Sequence, residues 1–332
     1  MNKTKIAFFD AKSYDMEFFN KHNEKHEARI KYFEYKLDED TVELAKSYDV
    51  VCVFVNDDIN EQVIDKLRKY EVGLIALRCA GYNNVNLKAL GNGVKAVRVP
   101  DYSPYAVAEH ATALIMTLNR KCHRAYFRTR ENNFAIKGLL GFDMHGKTVG
   151  VIGTGKIGRV MIDILKGYGV NILAYDPFPN LDYAKERGFE YVDLDTLYKE
   201  SNIITLHCPL TKETMHIINS ESISKMKHGV MIINTSRGSL IDTVELLEAL
   251  KSGKIGYAGL DVYEEEAGYF FEDNSDIIIE DDVLSRLLTL PNVIITSHQA
   301  FFTEEALDGI AHVTLENIRK YRTGEELENE VK

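Results

Sequence analysis

The chain is 332 residues long, carries 51 acidic against 40 basic side chains for a formal net charge of −11, and contains four cysteines and no tryptophan. That length suits two domains, since single hydrophobic cores stop growing well before it. The acidic balance, without a block of Lys or Arg, argues against a nucleic acid or an anionic membrane as partner. The scattered Cys52, Cys79, Cys122 and Cys208 follow no metal-ligand spacing, and no signal-type or membrane-length apolar run is read, so a soluble protein of a reducing cytoplasm without a metal is expected.

Apolar, β-branched runs at Ile6–Phe9, Ile30–Tyr35, Val50–Val55, Leu74–Leu77 and Ala96–Val99 predict strands. Amphipathic stretches around Glu17–His22, Thr41–Ser47 and Glu61–Tyr70 lie between them. Such alternation predicts a mostly parallel sheet covered by helices on both faces. Ser103-Pro104 opens a further helix with a cap-type residue and a first-turn proline, and Val107 to Leu118 is apolar on nearly every side, as suits a helix between packed layers.

Thr148-Val149-Gly150-Val151-Ile152 then runs into Gly153-Thr154-Gly155-Lys156-Ile157-Gly158, and Ile157, Val160, Met161, Ile164 and Leu165 recur at helical spacing. Strand, glycine turn and helix in this order form a dinucleotide-binding fingerprint: a tight turn, room for a pyrophosphate, and close packing of helix on strand. Asp176 closes the next apolar run, Ile172–Tyr175, where an acid accepts hydrogen bonds from the adenosine ribose. A 2′-phosphate would meet that carboxylate, so NAD is expected rather than NADP.

Further strands are predicted at Val149–Ile152, Tyr191–Leu194, Ile203–Leu206, Val230–Asn234, Tyr257–Val262 and Val293–Thr296. The acidic, aromatic stretch Glu264–Asp276 reads as the one long irregular insertion, and a final helix over Thr303–Tyr321 is expected to return to the first domain. Ligands of doubly wound sheets bind beyond the carboxyl ends of the strands, which singles out Arg237, Glu266 and His298. An arginine can grip a carboxylate with two prongs, and a histidine held by a carboxylate can protonate a carbonyl oxygen. On spacing alone a surface ion pair, a solvated acidic run and a locally satisfied histidine account for the three about equally well.

The runs Asn234-Thr235-Ser236-Arg237-Gly238, Gly259-Leu260-Asp261-Val262-Tyr263 with Glu266, and Ser297-His298-Gln299-Ala300-Phe301 occur in an order and spacing that resemble the D-2-hydroxyacid dehydrogenases, most of all their fermentative D-lactate dehydrogenase branch. Phe54-Val55-Asn56-Asp57-Asp58, Leu77-Arg78-Cys79-Ala80-Gly81, Tyr102–His110 and Leu206-His207-Cys208-Pro209-Leu210 extend the resemblance over nearly the whole chain.

The resemblance implies an α/β protein of two doubly wound parallel-sheet domains with the active site in the cleft between them. One is a flavodoxin-like substrate domain, residues 1–101 and 299–332, and the other a Rossmann NAD-binding domain, residues 102–298. It implies NADH-dependent reduction of pyruvate to D-lactate, with Arg237 on the 2-oxo acid, Glu266 supporting His298, and His298 as general acid and base. Ala80, Gly81 and Tyr102 would contact substrate and Phe301 would wall its side-chain pocket. NAD would be held by Gly153, Thr154, Gly155, Lys156, Ile157, Gly158, Asp176, Cys208, Pro209, Thr214 and Thr235, with Asp261 near the nicotinamide.

Arg78 and His110 read as support for the cleft, and His207 and His216 as structural. A homo-oligomer, dimer or tetramer, is implied, with the Ser103–Arg120 helix and the Lys121–Phe142 segment at its interface. Without tryptophan the chain lacks the tryptophan lid of some relatives, so a wall must come from residues such as Tyr14 or Phe301. Two readings stay open beside this one: a reductase for larger 2-oxo acids, and an NADH-sensing corepressor of the C-terminal-binding-protein type.

Overall fold

The computed structural model describes residues 3–91 and 93–331. The chain divides into two compact units, one built from residues up to Ser103 together with those from Phe302 onward, the other from Pro104–Phe301. The helix Pro104–Arg120 and the loop ending at Phe301 both go with the second unit.

The first unit is a five-stranded parallel sheet of β1 (Lys5–Phe8), β2 (Arg29–Tyr32), β3 (Val50–Val53), β4 (Leu74–Leu77) and β5 (Lys95–Val97), in the order β2-β1-β3-β4-β5. This is the flavodoxin-type order. Every residue of β3 and β4 is buried, which is why these strands are uninterrupted apolar runs. Helices Ser13–His26 and Glu304–Thr323 pack against each other, and the latter also covers β4. The first unit is therefore assembled from two distant stretches of chain.

The second unit is a seven-stranded parallel sheet of β6 (Thr148–Ile152), β7 (Asn171–Tyr175), β8 (Glu190–Tyr191), β9 (Ile203–Leu206), β10 (Val230–Asn234), β11 (Ile255–Leu260) and β12 (Val293–Ile295). Its order, β12-β11-β10-β9-β6-β7-β8, reverses at β6, the doubly wound arrangement of dinucleotide-binding sheets. Ala108, Ala111, Leu114, Ile115 and Leu118 of the helix Pro104–Arg120 pack with Met161, Ile162 and Leu165 on one face, and a second cluster around Leu246, Leu250, Leu284 and Leu287 covers the other.

Two expectations are corrected. The strand expected over Tyr191–Leu194 stops at Tyr191, because the Asp193 carboxylate accepts the Thr196 N–H at 2.9 Å and starts the helix Leu194–Glu200. The stretch Thr41–Ser47 forms only a short 3-10 turn, Val42–Ala45. The insertion Glu264–Asp276 is irregular, as expected, apart from the 3-10 turn Glu266–Gly268, and it is anchored: Phe270 is buried in the core, and the Asn274 side chain donates to the Tyr269 carbonyl at 2.9 Å.

Candidate active site

In the glycine turn, Gly153 has φ +93°, and a Cβ there would lie 2.6 Å from the Cys208 nitrogen; a Cβ on Gly158 would lie 2.0 Å from the Gly153 carbonyl oxygen. Only glycine allows this turn to cross so close to β9 and to its own helix. At Gly155, by contrast, no protein atom comes within 4 Å of a Cβ, so its missing side chain leaves open space over the start of the helix Lys156–Lys166, which no side chain caps. Uncapped N–H groups beside open space suit a pyrophosphate.

Asp176, at the end of β7, accepts the Thr154 N–H at 2.7 Å and its hydroxyl at 3.1 Å on one oxygen, and the Phe178 N–H at 2.9 Å on the other. The carboxylate is thus fixed at the edge of the turn, with one acceptor site left for a ribose hydroxyl. Two further groups fit a bound dinucleotide. The Thr235 hydroxyl and His207 Nδ1 are buried and have no hydrogen-bond partner among the described residues, and buried polar atoms are ordinarily satisfied. His207 Nε2 pairs with the Thr205 hydroxyl at 2.9 Å, and burial pushes its pKa down to about 4, keeping the ring neutral beside the turn.

Cys208 is buried and its thiol is pushed up to about 11 by that burial, so it is an apolar wall and not a nucleophile. The Thr214 hydroxyl donates to the Pro209 carbonyl at 2.7 Å and accepts from the Thr211 N–H, which spends it on shaping the loop after Cys208. Lys156 is exposed and Ile157 half-buried at the start of the helix.

At the carboxyl ends of β10, β11 and β12 stand the three residues singled out for chemistry. His298 Nδ1 lies 2.7 Å from Glu266 Oε1, and Glu266 Oε2 accepts the Tyr263 N–H at 2.9 Å. The pair is geometrically complete: one carboxylate oxygen fixes the ring and the other is fixed by the backbone. The partner on Nδ1 directs Nε2 to any reacting group. Arg237 follows β10, and its loop is hooked by Asn234, whose amide donates to the Arg237 carbonyl at 2.8 Å and accepts the Ser236 N–H at 3.0 Å. The guanidinium donates to the Ser236 carbonyl at 2.6 Å and is half-buried.

Asp261 is fully buried. Its carboxylate accepts the N–H groups of Gln299 at 2.9 Å and Ala300 at 2.8 Å and the Thr296 hydroxyl, with His110 Nε2 3.4 Å away. Because Thr296 donates its hydroxyl hydrogen to Asp261, its oxygen accepts from His110 Nε2 at 3.0 Å, so that nitrogen carries a hydrogen. Burial would raise the Asp261 pKa, but the hydrogen bonds from His110, Thr296 and Ala300 prevail and hold it below the usual carboxylate range.

His298 itself has φ +55°, the left-handed region, with its N–H on the Asp261 carbonyl at 2.8 Å. Such a conformation costs on the order of 1 kcal/mol or more and persists where surrounding bonds impose it. Here Asp261 imposes it, by holding the residues on either side of the kink. Spacing alone did not disclose this role, nor that of Phe271, also left-handed at φ +69°, whose ring lies 5.6 Å from the His298 ring. Phe301 is buried beside this loop.

In the first unit, Ala80 and Gly81 follow β4. Arg98 donates to the Ala80 carbonyl at 2.8 Å and the Cys79 thiol to the Gly81 carbonyl at 3.2 Å, while the N–H groups of Ala80 and Gly81 donate to no backbone carbonyl among the described residues. That leaves donors for an anion. Arg78 is buried with its guanidinium between the rings of Phe8 and Phe54, 4.6 and 4.7 Å from their centroids, and donates to the Asp10 carbonyl. It orders the strand ends. Tyr102 is half-buried, and Tyr14 packs edge-on against Phe302 at 4.8 Å.

Residues 112–300 match the family described as D-isomer specific 2-hydroxyacid dehydrogenase, NAD binding domain. The chain belongs to this family. It is 56% identical to a 2-hydroxyacid dehydrogenase homolog of Haemophilus influenzae over 98% of each chain. To the D-lactate dehydrogenase of Escherichia coli it is 52% identical, over 98% of this chain and 99% of that protein. Among solved structures it resembles the pyruvate reductase of Chlamydomonas reinhardtii, with 46% identity, a TM-score of 0.94 and 98% of each chain covered. The chain is accordingly an NAD-dependent oxidoreductase acting on 2-hydroxy acids, and its second unit is the NAD-binding domain of this family. Among the described residues no helix is long and apolar enough to cross a membrane.

Proposed function

We propose that the chain reduces pyruvate to D-lactate with NADH, reversibly, with His298 as general acid in reduction and general base in oxidation, and that it serves fermentative regeneration of NAD in the cytoplasm. The observation that carries the chemistry is the 2.7 Å contact of His298 Nδ1 with Glu266, which orients the ring for proton transfer at Nε2. The choice of pyruvate is supported by the names of the Escherichia coli and Chlamydomonas relatives.

NADH supplies the hydride. The turn Gly153–Gly158, Asp176 and Thr235 hold it, with His207, Cys208, Pro209 and Thr214 shaping the neighbouring wall. Arg237 grips the 2-oxo acid with its planar fork, and the amides of Ala80 and Gly81 take the remaining carboxylate oxygen positions. Tyr102 and Phe301 bound the substrate. His298 delivers its proton to the carbonyl oxygen while Glu266 keeps the ring in place, and Asp261 keeps His298 on its kinked backbone.

Oxidation of NADH followed by absorbance against a panel of 2-oxo acids tests the assignment. Pyruvate is expected to give the highest kcat/KM; preference for 2-oxoisocaproate or phenylpyruvate would reassign the enzyme to larger substrates. Turnover too slow to measure with every acid would favour an NADH sensor.

Asp176→Ala is expected to shift the kcat/KM ratio of NADPH to NADH upward by about tenfold or more, since it removes both the ribose acceptor and the charge that repels a 2′-phosphate. An unmoved ratio would take Asp176 out of cofactor recognition.

We also propose a homo-oligomer, dimer or tetramer. Tyr126, Phe127, Phe134, Ile136 and Leu140 are all exposed in a segment of fifteen residues or so, numbered 126–140, an apolar concentration that suits an interface with a second copy. The double substitution Phe134→Asp, Ile136→Asp is expected to yield monomers by light scattering where the parent chain yields dimers or tetramers. A monomeric parent would end this proposal.

A further inference from the structure

A second carboxylate–imidazole pair lies two residues before the first. Glu264 Oε1 lies 2.6 Å from His216 Nε2, and Glu264 Oε2 accepts the Thr243 hydroxyl at 3.0 Å, so both oxygens of this half-buried carboxylate are engaged. His216 Nδ1 also faces Asp242 Oδ2 at 3.8 Å. His216 is left-handed, with φ +50°, and is held there at both backbone atoms: its N–H donates to the Ser239 carbonyl at 2.9 Å and its carbonyl accepts the Asn219 amide at 2.8 Å.

The residues that grip His216 belong to the loops already described. Ser239 lies two residues after Arg237, and the pairing continues along the chain, with the Ile218 N–H on the Leu240 carbonyl and the Asp242 N–H on the Ile218 carbonyl. Glu264 lies two residues before Glu266. The two loops also touch directly, since a Cβ on Gly238 would lie 2.1 Å from the Tyr263 carbonyl. Close packing of this kind sets how near the loops come. It does not stop them from sliding, which a directional hydrogen bond does. His216 is joined through its backbone to the arginine loop and through its side chain to the acid loop.

We propose that His216, clasped to Glu264 and Thr243, is a positioning residue that sets the spacing between Arg237 and the Glu266–His298 pair. The proposal rests on the roles given to Arg237 and His298 above. A misplacement of the proton donor relative to the anchored carboxylate by a fraction of an ångström costs rate without touching the cofactor site.

The test uses the full chain carrying His216→Ala, Glu264→Gln, both together, or His216→Gln, whose amide still donates to Glu264. Three quantities are read: kcat and KM for pyruvate, NADH affinity from its fluorescence, and hydrogen exchange of segments 236–240 and 261–268. His216→Ala is expected to lower kcat/KM about tenfold and to leave the NADH Kd within about twofold. The double variant should be no worse than the poorer single, and His216→Gln should recover to within about threefold of the parent. Exchange should quicken in both segments.

A kcat/KM within about twofold of the parent in His216→Ala, a multiplicative loss in the double variant, or faster exchange confined to the neighbourhood of 216 would overturn the clasp. Should the parent fail to reduce 2-oxo acids, the catalytic reading fails by itself. The exchange of the two segments still decides whether His216 couples them.

Discussion

Replacing His298 by glutamine is expected to lower kcat for pyruvate reduction by about a thousandfold, in the middle of the range that positioned proton transfer contributes. Glutamine keeps a donor that can reach Glu266, so the loop retains the 2.7 Å partnership that now holds Nδ1, while no group remains at Nε2 to release a proton. NADH affinity should stay close to that of the parent, because the glycine turn, Asp176 and Thr235 are untouched. The loss should fall on kcat and kcat/KM alike, as expected when an interaction made only in the transition state is removed. Turnover within about tenfold of the parent would move the general-acid role to another residue.

How much of this site could be read from the sequence depends on how far apart the cooperating residues lie. The glycine turn was legible because its three glycines fall within six residues between one apolar run and one helical pattern, although the atoms that exclude a side chain at Gly153 belong to His207 and Cys208, far along the chain. The placement of Arg237, Glu266 and His298 past the ends of β10, β11 and β12 was legible for a different reason. A parallel sheet brings every carboxyl end to one edge, so residues just past three apolar runs meet there whatever the intervening chain.

What remained hidden depends on contacts across long separations and on atoms rather than positions. Asp261 reaches the amides 38 and 39 residues later, and His216 reaches Glu264 across 48, so neither pairing leaves a local pattern. His216 looked structural because nothing in its surroundings in sequence distinguishes it from a turn histidine. Asp193 illustrates the opposite failure. Its signal, an acid three residues before Thr196, was present, but the β-branched and aromatic character of Tyr191-Val192 outweighed it, and the strand was carried too far.

Phe271 adds a different kind of obstacle. An aromatic residue in an acidic insertion gives no reason to expect a left-handed backbone or a ring 5.6 Å from that of His298. The neighbouring Phe270 goes to the core, so two adjacent phenylalanines with similar sequence surroundings serve separate ends.

Arg237→Lys is expected to raise KM for pyruvate by about a hundredfold with a smaller loss in kcat. The argument starts from shape: a guanidinium presents two parallel N–H groups that match both oxygens of a carboxylate, and an ammonium offers one strongly hydrated point. The backbone that presents it should not move, since Asn234 grips the Arg237 carbonyl and the Ser236 N–H whatever the side chain. The bond from the guanidinium to the Ser236 carbonyl pre-sets its direction, and lysine forfeits that order too. Because the carboxylate is bound alike before and during hydride transfer, most of the lost energy should fall on KM rather than kcat. A neutral ketone of the same size supplies the control. If Arg237 serves the carboxylate, parent and variant should handle the ketone equally poorly, and the pyruvate preference alone should collapse. An unchanged KM for pyruvate with a large fall in kcat would instead place the guanidinium on the carbonyl oxygen, where charge develops only in the transition state.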